Sequence, residues 1–106
     1  MYYKPPILGC VGCVLLFCAA GASADRGAEL YKEKTCHTCH GEDGTHPITR
    51  DYPVLAGQPV DYLVRQMKDI RDGRRTTGLS ESMRAVVAGV TDEEFEVIAE
   101  WLASRW

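Results

Sequence analysis

An all-α domain, with three main helices and long loops wrapped around a bound group, is what this sequence predicts. Three observations lead there. No stretch alternates apolar and polar residues over the length of a strand, whereas three stretches carry apolar residues at helical spacing. About half of the chain behind the N-terminal segment lies in loops rich in turn formers, and loops that long in a small domain usually have a task. Finally, once residues 1–24 are set aside, about 82 residues remain, a size at which an apolar core alone gives little stability. Such domains usually need a disulfide, a metal or another staple.

The N-terminal segment is set aside because "MYYKPPILGCVGCVLLFCAAGASA" has the order of a secretory signal. One cation, Lys4, precedes an apolar run, and Ala22-Ser23-Ala24 precedes the polar Asp25. That order predicts cleavage after Ala24 and a mature domain over residues 25–106. The alternative is a retained anchor, but the apolar run from Ile7 to Ala22 is shorter than the roughly 20 residues a spanning helix needs. It also lacks basic flanks on its far side, and Phe17 stands where a lipoprotein motif at Cys18 would want a small residue. Cleavage removes Lys4, leaving eleven cationic and fifteen acidic side chains. It also removes Cys10, Cys13 and Cys18, so the odd total of five cysteines reduces to Cys36 and Cys39.

The first helix is expected from about Arg26 to Cys36, with Asp25 as its cap and Leu30 and Tyr31 on its apolar side. The second should span Pro59 to Asp72. Proline suits a first helical position, Leu63, Met67 and Ile70 form a stripe, and Gly73 supplies a stop. The third begins at a capping box made by Thr91 and Glu94. Phe95, Ile98 and Leu102 line one of its faces, with Trp101 beside them, while Glu93, Glu96 and Glu100 face water. A shorter turn is expected over Arg84 to Ala88, ending at Gly89. No repeat, low-complexity tract or long run of one charge interrupts this pattern.

The chemistry is concentrated in "EKTCHTCHGEDG", Glu33 to Gly44, where Cys36, Cys39 and His40 stand within five residues. A structural zinc site needs four ligands, usually in two separated pairs. Here only Cys36, Cys39, His40 and His46 are near, and adjacent Cys39 and His40 would strain to fill two corners of one tetrahedron. A redox dithiol of the thioredoxin type belongs beside a βαβ pattern, which is missing. A disulfide between the pair would close a tiny loop and remove little unfolded-state entropy. Covalent haem accounts for every residue. Two thiols one helical turn apart can add to the two vinyl groups on one porphyrin edge, and the following histidine then falls beneath the iron. C-x-x-C-H is the attachment signature of c-type haem, and its single occurrence predicts one haem.

With these residues in view, the sequence resembles a class I cytochrome c. It is similar to the small periplasmic kind, including one half of bacterial dihaem cytochromes and the haem subunit of flavocytochrome sulfide dehydrogenase. "CHTCHGEDG" matches the attachment motif and its loop. "YPVLAGQPVDYLVRQMKDIRDGRR" resembles the Pro-x-Leu-x-Gly-Gln segment and central helix, and "SMRAVVAGVTDEEFEVIAEWLAS" the distal-ligand loop and last helix. Arg84 follows Met83 where many members carry proline. The resemblance implies the class I cytochrome c fold, with haem c held through Cys36 and Cys39 and the iron ligated by His40 and Met83. It also implies that the Pro53 carbonyl accepts from His40, that Leu55 packs on the haem, and that Gly27 and Tyr31 cross the last helix near Trp101. The local reading agrees on Met83, which sits in an irregular loop able to swing its thioether across the haem. Met67 belongs to the helical stripe, where a methionine is most often core filler. His46 lies on the proximal side, and His37 is a variable residue between the cysteines. Arg71, Arg74 and Arg75 either pair with haem propionates or are solvated.

A His/Met pair fills both axial positions, so iron of this kind changes oxidation state readily and binds substrate poorly. The expected function is a periplasmic, monohaem electron carrier that is not an enzyme by itself and meets redox donors and acceptors transiently. A haem subunit held in a periplasmic dehydrogenase complex, acting on sulfur compounds or alcohols, is the alternative. A five-coordinate haem that senses or reduces a small gas or peroxide would require Met83 not to bind. The acidic balance suggests neither nucleic acid nor an anionic membrane as partner, and the chain should be a monomer or part of a small complex. After cleavage no membrane insertion is expected.

Overall fold

A computed structural model describes residues 25–105, so the expected signal segment 1–24 lies outside the described residues. Five helices and no strand occur among those residues. They are α1 over residues 25–33, α2 His37–His40, α3 Val60–Arg71, α4 Ser80–Val87 and α5 Asp92–Ala103. The three expected helices are α1, α3 and α5. Two shorter ones, α2 and α4, were not separated from their surroundings by periodicity alone.

α1 stops earlier than its pattern predicts. The Cys36 N–H bonds back to the Tyr31 carbonyl at 3.1 Å and the Thr35 N–H to Lys32 at 3.0 Å. This is the paired terminus that needs a left-handed residue at its turning point. Thr35 fills that position at φ 62. Reversing there lets the chain start α2 afresh, so Cys39 and His40 ride on their own helical turn and not on α1.

α3 obeys its pattern almost to the residue. Pro59 is its N-cap, with ψ 140, one position outside the helix where the sequence suggested the first turn. Leu63, Val64, Met67 and Ile70 are buried, and Gly73 at φ 79 ends the helix in the same paired terminus as α1. There the Arg74 N–H reaches the Asp69 carbonyl at 2.8 Å and the Gly73 N–H reaches Ile70 at 3.3 Å. α5 opens on the expected capping box. The Glu94 N–H donates to Thr91 Oγ1 at 3.2 Å and the Thr91 N–H to Glu94 Oε1 at 3.0 Å.

α4 corrects the reading of the distal region. An irregular loop up to Met83 and a turn from Arg84 to Ala88 were expected, but a helix runs continuously from Ser80 to Val87. Met83 and Val87 stand four apart and so share one face, with Val87 buried and Met83 partly buried against the core. Serines and charges at the neighbouring positions hide this two-residue stripe in the sequence.

The core joins Leu30 and Tyr31 of α1, the α3 stripe, Val87, Val90, and Phe95, Ile98, Ala99 and Leu102 of α5. α3 packs against both α4 and α5. α1 crosses α5 where Gly27 meets Trp101 so closely that a side chain on Gly27 would clash with the Trp101 Cβ. The Tyr31 and Trp101 rings lie 5.0 Å apart at the same crossing. Both contacts follow the expectation for these residues. The long 41–59 loop is pinned from inside. The Gly57 N–H donates to the Leu102 carbonyl at 3.0 Å, and the Leu55 and Ala56 N–H groups converge on the Gly44 carbonyl at 3.0 and 3.1 Å.

Candidate functional site

The site grows out of α2. Cys36 is its N-cap, Cys39 lies within it and His40 is its last residue. Both cysteines are free thiols, partly buried, and burial pushes the Cys36 thiol up to about 11. The Cys36 carbonyl receives the His40 N–H at 3.0 Å, so this single turn sets the spacing of all three side chains.

Gly41 then turns the chain with φ 88 and ψ 169, a conformation essentially reserved for glycine. A Cβ there would run into the His46 carbonyl. The turn is held from below by Tyr31, whose hydroxyl donates to the Gly41 carbonyl at 2.6 Å. Burial of that hydroxyl raises its pKa well above the usual range.

His40 is buried, only 6% exposed. Its Nδ1–H donates to the Pro53 carbonyl at 3.1 Å, across thirteen residues of chain. Burial lowers the imidazole pKa, and the Pro53 carbonyl opposes this more weakly. Burial thus favours the neutral ring, and with Nδ1–H given to Pro53 the Nε2 lone pair is left available, as in a metal-bound histidine whose second nitrogen is held by a fixed acceptor. Tyr52, next to Pro53, presents its ring edge-on to His40 with centroids 6.1 Å apart. The neighbouring Cys39 sulfur is the main influence on the Tyr52 phenol and holds it above its ordinary range. Sequence reasoning missed Tyr52, although its place directly before Pro53 was the available signal.

The other candidates fall into distinct places. Met67 is buried within the α3 stripe, and Met83 sits at the edge of the same core on α4. Leu55 is partly buried against that core. His46 is exposed, with Nδ1 2.8 Å from the Thr45 hydroxyl. His37 Nδ1 is buried without a hydrogen-bond partner among the described residues. The arginines are tied to nearby groups. Arg71 contacts Asp92 at 2.7 Å and Asp72 at 2.9 Å, Arg74 contacts Asp69 at 2.9 Å, and Arg75 donates to Gln66 at 2.9 Å.

Two thiols and a neutral imidazole on one turn form a donor set suited to a covalently held haem. No group of three or more His, Cys, Asp or Glu among the described residues is arranged to hold a bare metal ion. The family model described as cytochrome c matches residues 24–106. The chain belongs to the cytochrome c family. Membership implies haem c as the bound group, and the five-helix fold is the class I cytochrome c fold.

Within this family, cytochrome c4 of Pseudomonas aeruginosa is 38% identical over 86 residues, covering 81% of this chain and 41% of that protein. Cytochrome c-554(548) of Halomonas halodenitrificans is 36% identical over 83 residues, 78% of this chain and 99% of that one. The crystal structure of reduced recombinant cytochrome c4 from Pseudomonas stutzeri superposes with a TM-score of 0.70 at 26% identity, over 81% of this chain and 50% of that one. The chain thus spans about half the length of the cytochrome c4 relatives, the relation expected of one half of a dihaem cytochrome, and nearly the whole of the c-554(548) relative.

Proposed function

We propose that this chain is a periplasmic monohaem cytochrome c that carries single electrons between transient redox partners. The observation that supports this most is His40, buried with Nδ1–H committed to Pro53 and Nε2 left to bind iron, directly after two partly buried thiols. Cys36 and Cys39 would each add across one haem vinyl group. Sulfur bonds to the carbon next to the ring and the thiol hydrogen passes to the terminal carbon, so no oxidant is needed. Bound haem c supplies a one-electron iron couple.

The chain's own residues do the rest. His40 would hold the iron from one side, oriented by Pro53 and flanked by Tyr52. Met83 would hold it from the other, since Met67 is buried in the α3 stripe whereas Met83 lies at the core's edge. A weakly donating thioether favours the reduced iron and raises the potential. With both axial positions taken, electron transfer is favoured over bond chemistry, and the chain is not an enzyme by itself. Export through residues 1–24 accords with the thiol pair being reserved for haem. No helix among the described residues is long and apolar enough to cross a membrane.

Denaturing electrophoresis with peroxidase staining tests the attachment. Haem should travel with the polypeptide and should cease to do so in the double variant Cys36→Ser, Cys39→Ser. Clean removal of haem from the unmodified protein by acid–organic extraction would overturn the proposal. Native size measurement separates a free carrier from a subunit of a larger complex.

A further inference from the structure

We propose that Tyr52 is a positioning residue for His40, its ring fixing the plane in which the imidazole meets the haem iron. This rests on the reading that His40 holds that iron, and it adds a residue to it. The contact of the two rings carries the proposal. They meet edge-on, with centroids 6.1 Å apart and planes 69° from parallel.

The hydrogen bond to Pro53 leaves such a role open. It sets the tautomer of His40, with Nδ1 3.1 Å from the carbonyl oxygen. A carbonyl accepts over a broad range of directions, so one bond of this kind lets the imidazole rock about it. A second contact away from that bond stops the rocking, and Tyr52 supplies one. Its separation and tilt are those that aromatic pairs prefer. Because residues 52 and 53 adjoin, a single dipeptide sets both the tautomer and the plane.

The dipeptide is itself held on both sides. Before it, the Ile48 N–H donates to the Cys39 carbonyl at 3.1 Å. After it, the Leu55 and Ala56 N–H groups meet the Gly44 carbonyl at 3.0 and 3.1 Å. Pro53 confines the Tyr52 backbone to the extended region, and the Tyr52 N–H reaches the Thr49 carbonyl at 3.4 Å. At the far end of the side chain, the phenol neighbours the Cys39 sulfur. Tyr52 thus stands against two adjacent residues of the attachment motif. Once haem is attached, that sulfur is a thioether, able to accept from the phenol but not to donate.

Orientation has an electronic consequence. The imidazole plane selects which of two otherwise equivalent iron d orbitals meets the ligand's π electrons. A fixed plane therefore spreads unpaired spin unevenly over the oxidised haem, whereas a rocking plane averages it. Outer neighbours that orient a ligating histidine tune the metal in this way.

The test is proton NMR of the haem-loaded protein. In the reduced, diamagnetic form, the His40 ring protons should be shifted far upfield by the porphyrin and should show nuclear Overhauser contacts to the Tyr52 ring. In the oxidised form, the haem methyl resonances report the imidazole plane. Tyr52→Leu should narrow or reorder their spread, and Tyr52→Phe, which keeps the ring, should retain the native order. A native methyl pattern in Tyr52→Leu, with only a lower unfolding midpoint, would make Tyr52 a structural cover and overturn the proposal. So would equal changes in the two variants, which would assign the effect to the hydroxyl. Should Tyr52→Leu take up no haem, the Overhauser contact in the unmodified protein decides the matter alone. An upfield His40 without contact to Tyr52 defeats the positioning role and spares the carrier reading, whereas a His40 that is not shifted defeats both.

Discussion

Thr35 and Gly73 do the same work in different chemistry. Each turns the chain through the left-handed region at the end of a helix, at φ 62 and φ 79, and each is closed by the same pair of backbone hydrogen bonds. Glycine does this freely, whereas a β-branched residue there is an outlier. The left-handed conformation costs an ordinary residue about 1–2 kcal/mol, and part of that relief is offset by the greater unfolded-state freedom of glycine. Thr35→Gly should therefore stabilise the protein by about 0.5–1 kcal/mol. The measurement is the shift in denaturant midpoint at constant slope. A destabilised variant would mean that the Thr35 hydroxyl, which donates to the Lys34 carbonyl at 2.7 Å, contributes more than the strain takes away.

Among the elements, α5 is the most self-sufficient because its start is built from adjacent residues. Thr91→Ala removes one half of the capping box and should cost about 1 kcal/mol. Glu94, the other half, is held below its usual pKa first by the Thr91 N–H and then by Lys34, 3.4 Å away. A carboxylate depressed in the folded state binds fewer protons there than in the unfolded chain. Its contribution is thus complete above its ordinary pKa and lost as pH falls through the depressed folded value. Asp92, depressed mainly by its hydrogen bond from Arg71, acts in the same direction. Stability should decline on acidification below the ordinary carboxylate range, and Glu94→Gln should flatten that decline in pH-dependent thermal unfolding. An unchanged acid profile in the variant would remove Glu94 from the account. α4 is the opposite case, a helix whose buried side, Ser80, Met83 and Val87, turns onto the common core while the helix packs beside α3.

At the scale of the whole molecule, the proposed iron site must join residues far apart in the chain, His40 on α2 and Met83 on α4. If the Met83 sulfur binds iron, the oxidised protein should show the near-infrared sulfur-to-iron charge-transfer band of His/Met cytochromes. Met83→Ala should abolish that band, open a position for cyanide or carbon monoxide, and lower the potential, because the ligand favouring reduced iron is gone. Met67→Leu is a near volume-conserving change that should cost under about 1.5 kcal/mol and leave the band intact. A band controlled by Met67, with Met83 silent, would reverse the assignment.

The parts of this protein that the sequence determined by itself are those written in near neighbours. Cys36, Cys39 and His40 form by identity and spacing the C-x-x-C-H signature of c-type haem, the group that family membership implies. The Leu63–Met67–Ile70 stripe and the Thr91–Glu94 box specify α3 and α5 because residues three and four apart meet on a helix. Tertiary structure decided what depends on residues brought together from afar. The break between α1 and α2 goes against the local preference of Thr35 and persists with Tyr31 fastened to Gly41. The Ser80–Val87 helix is set by the common core, which takes Val87 and the partly buried Met83, with α3 packed alongside. Arg71 settles on Asp92 and the Val90 carbonyl, both about twenty residues away. The tautomer of His40 is set by a carbonyl thirteen residues further on. Periodicity records only which side of a helix is apolar, whereas these contacts are chosen by the packing of whole helices and the closure of the loops between them.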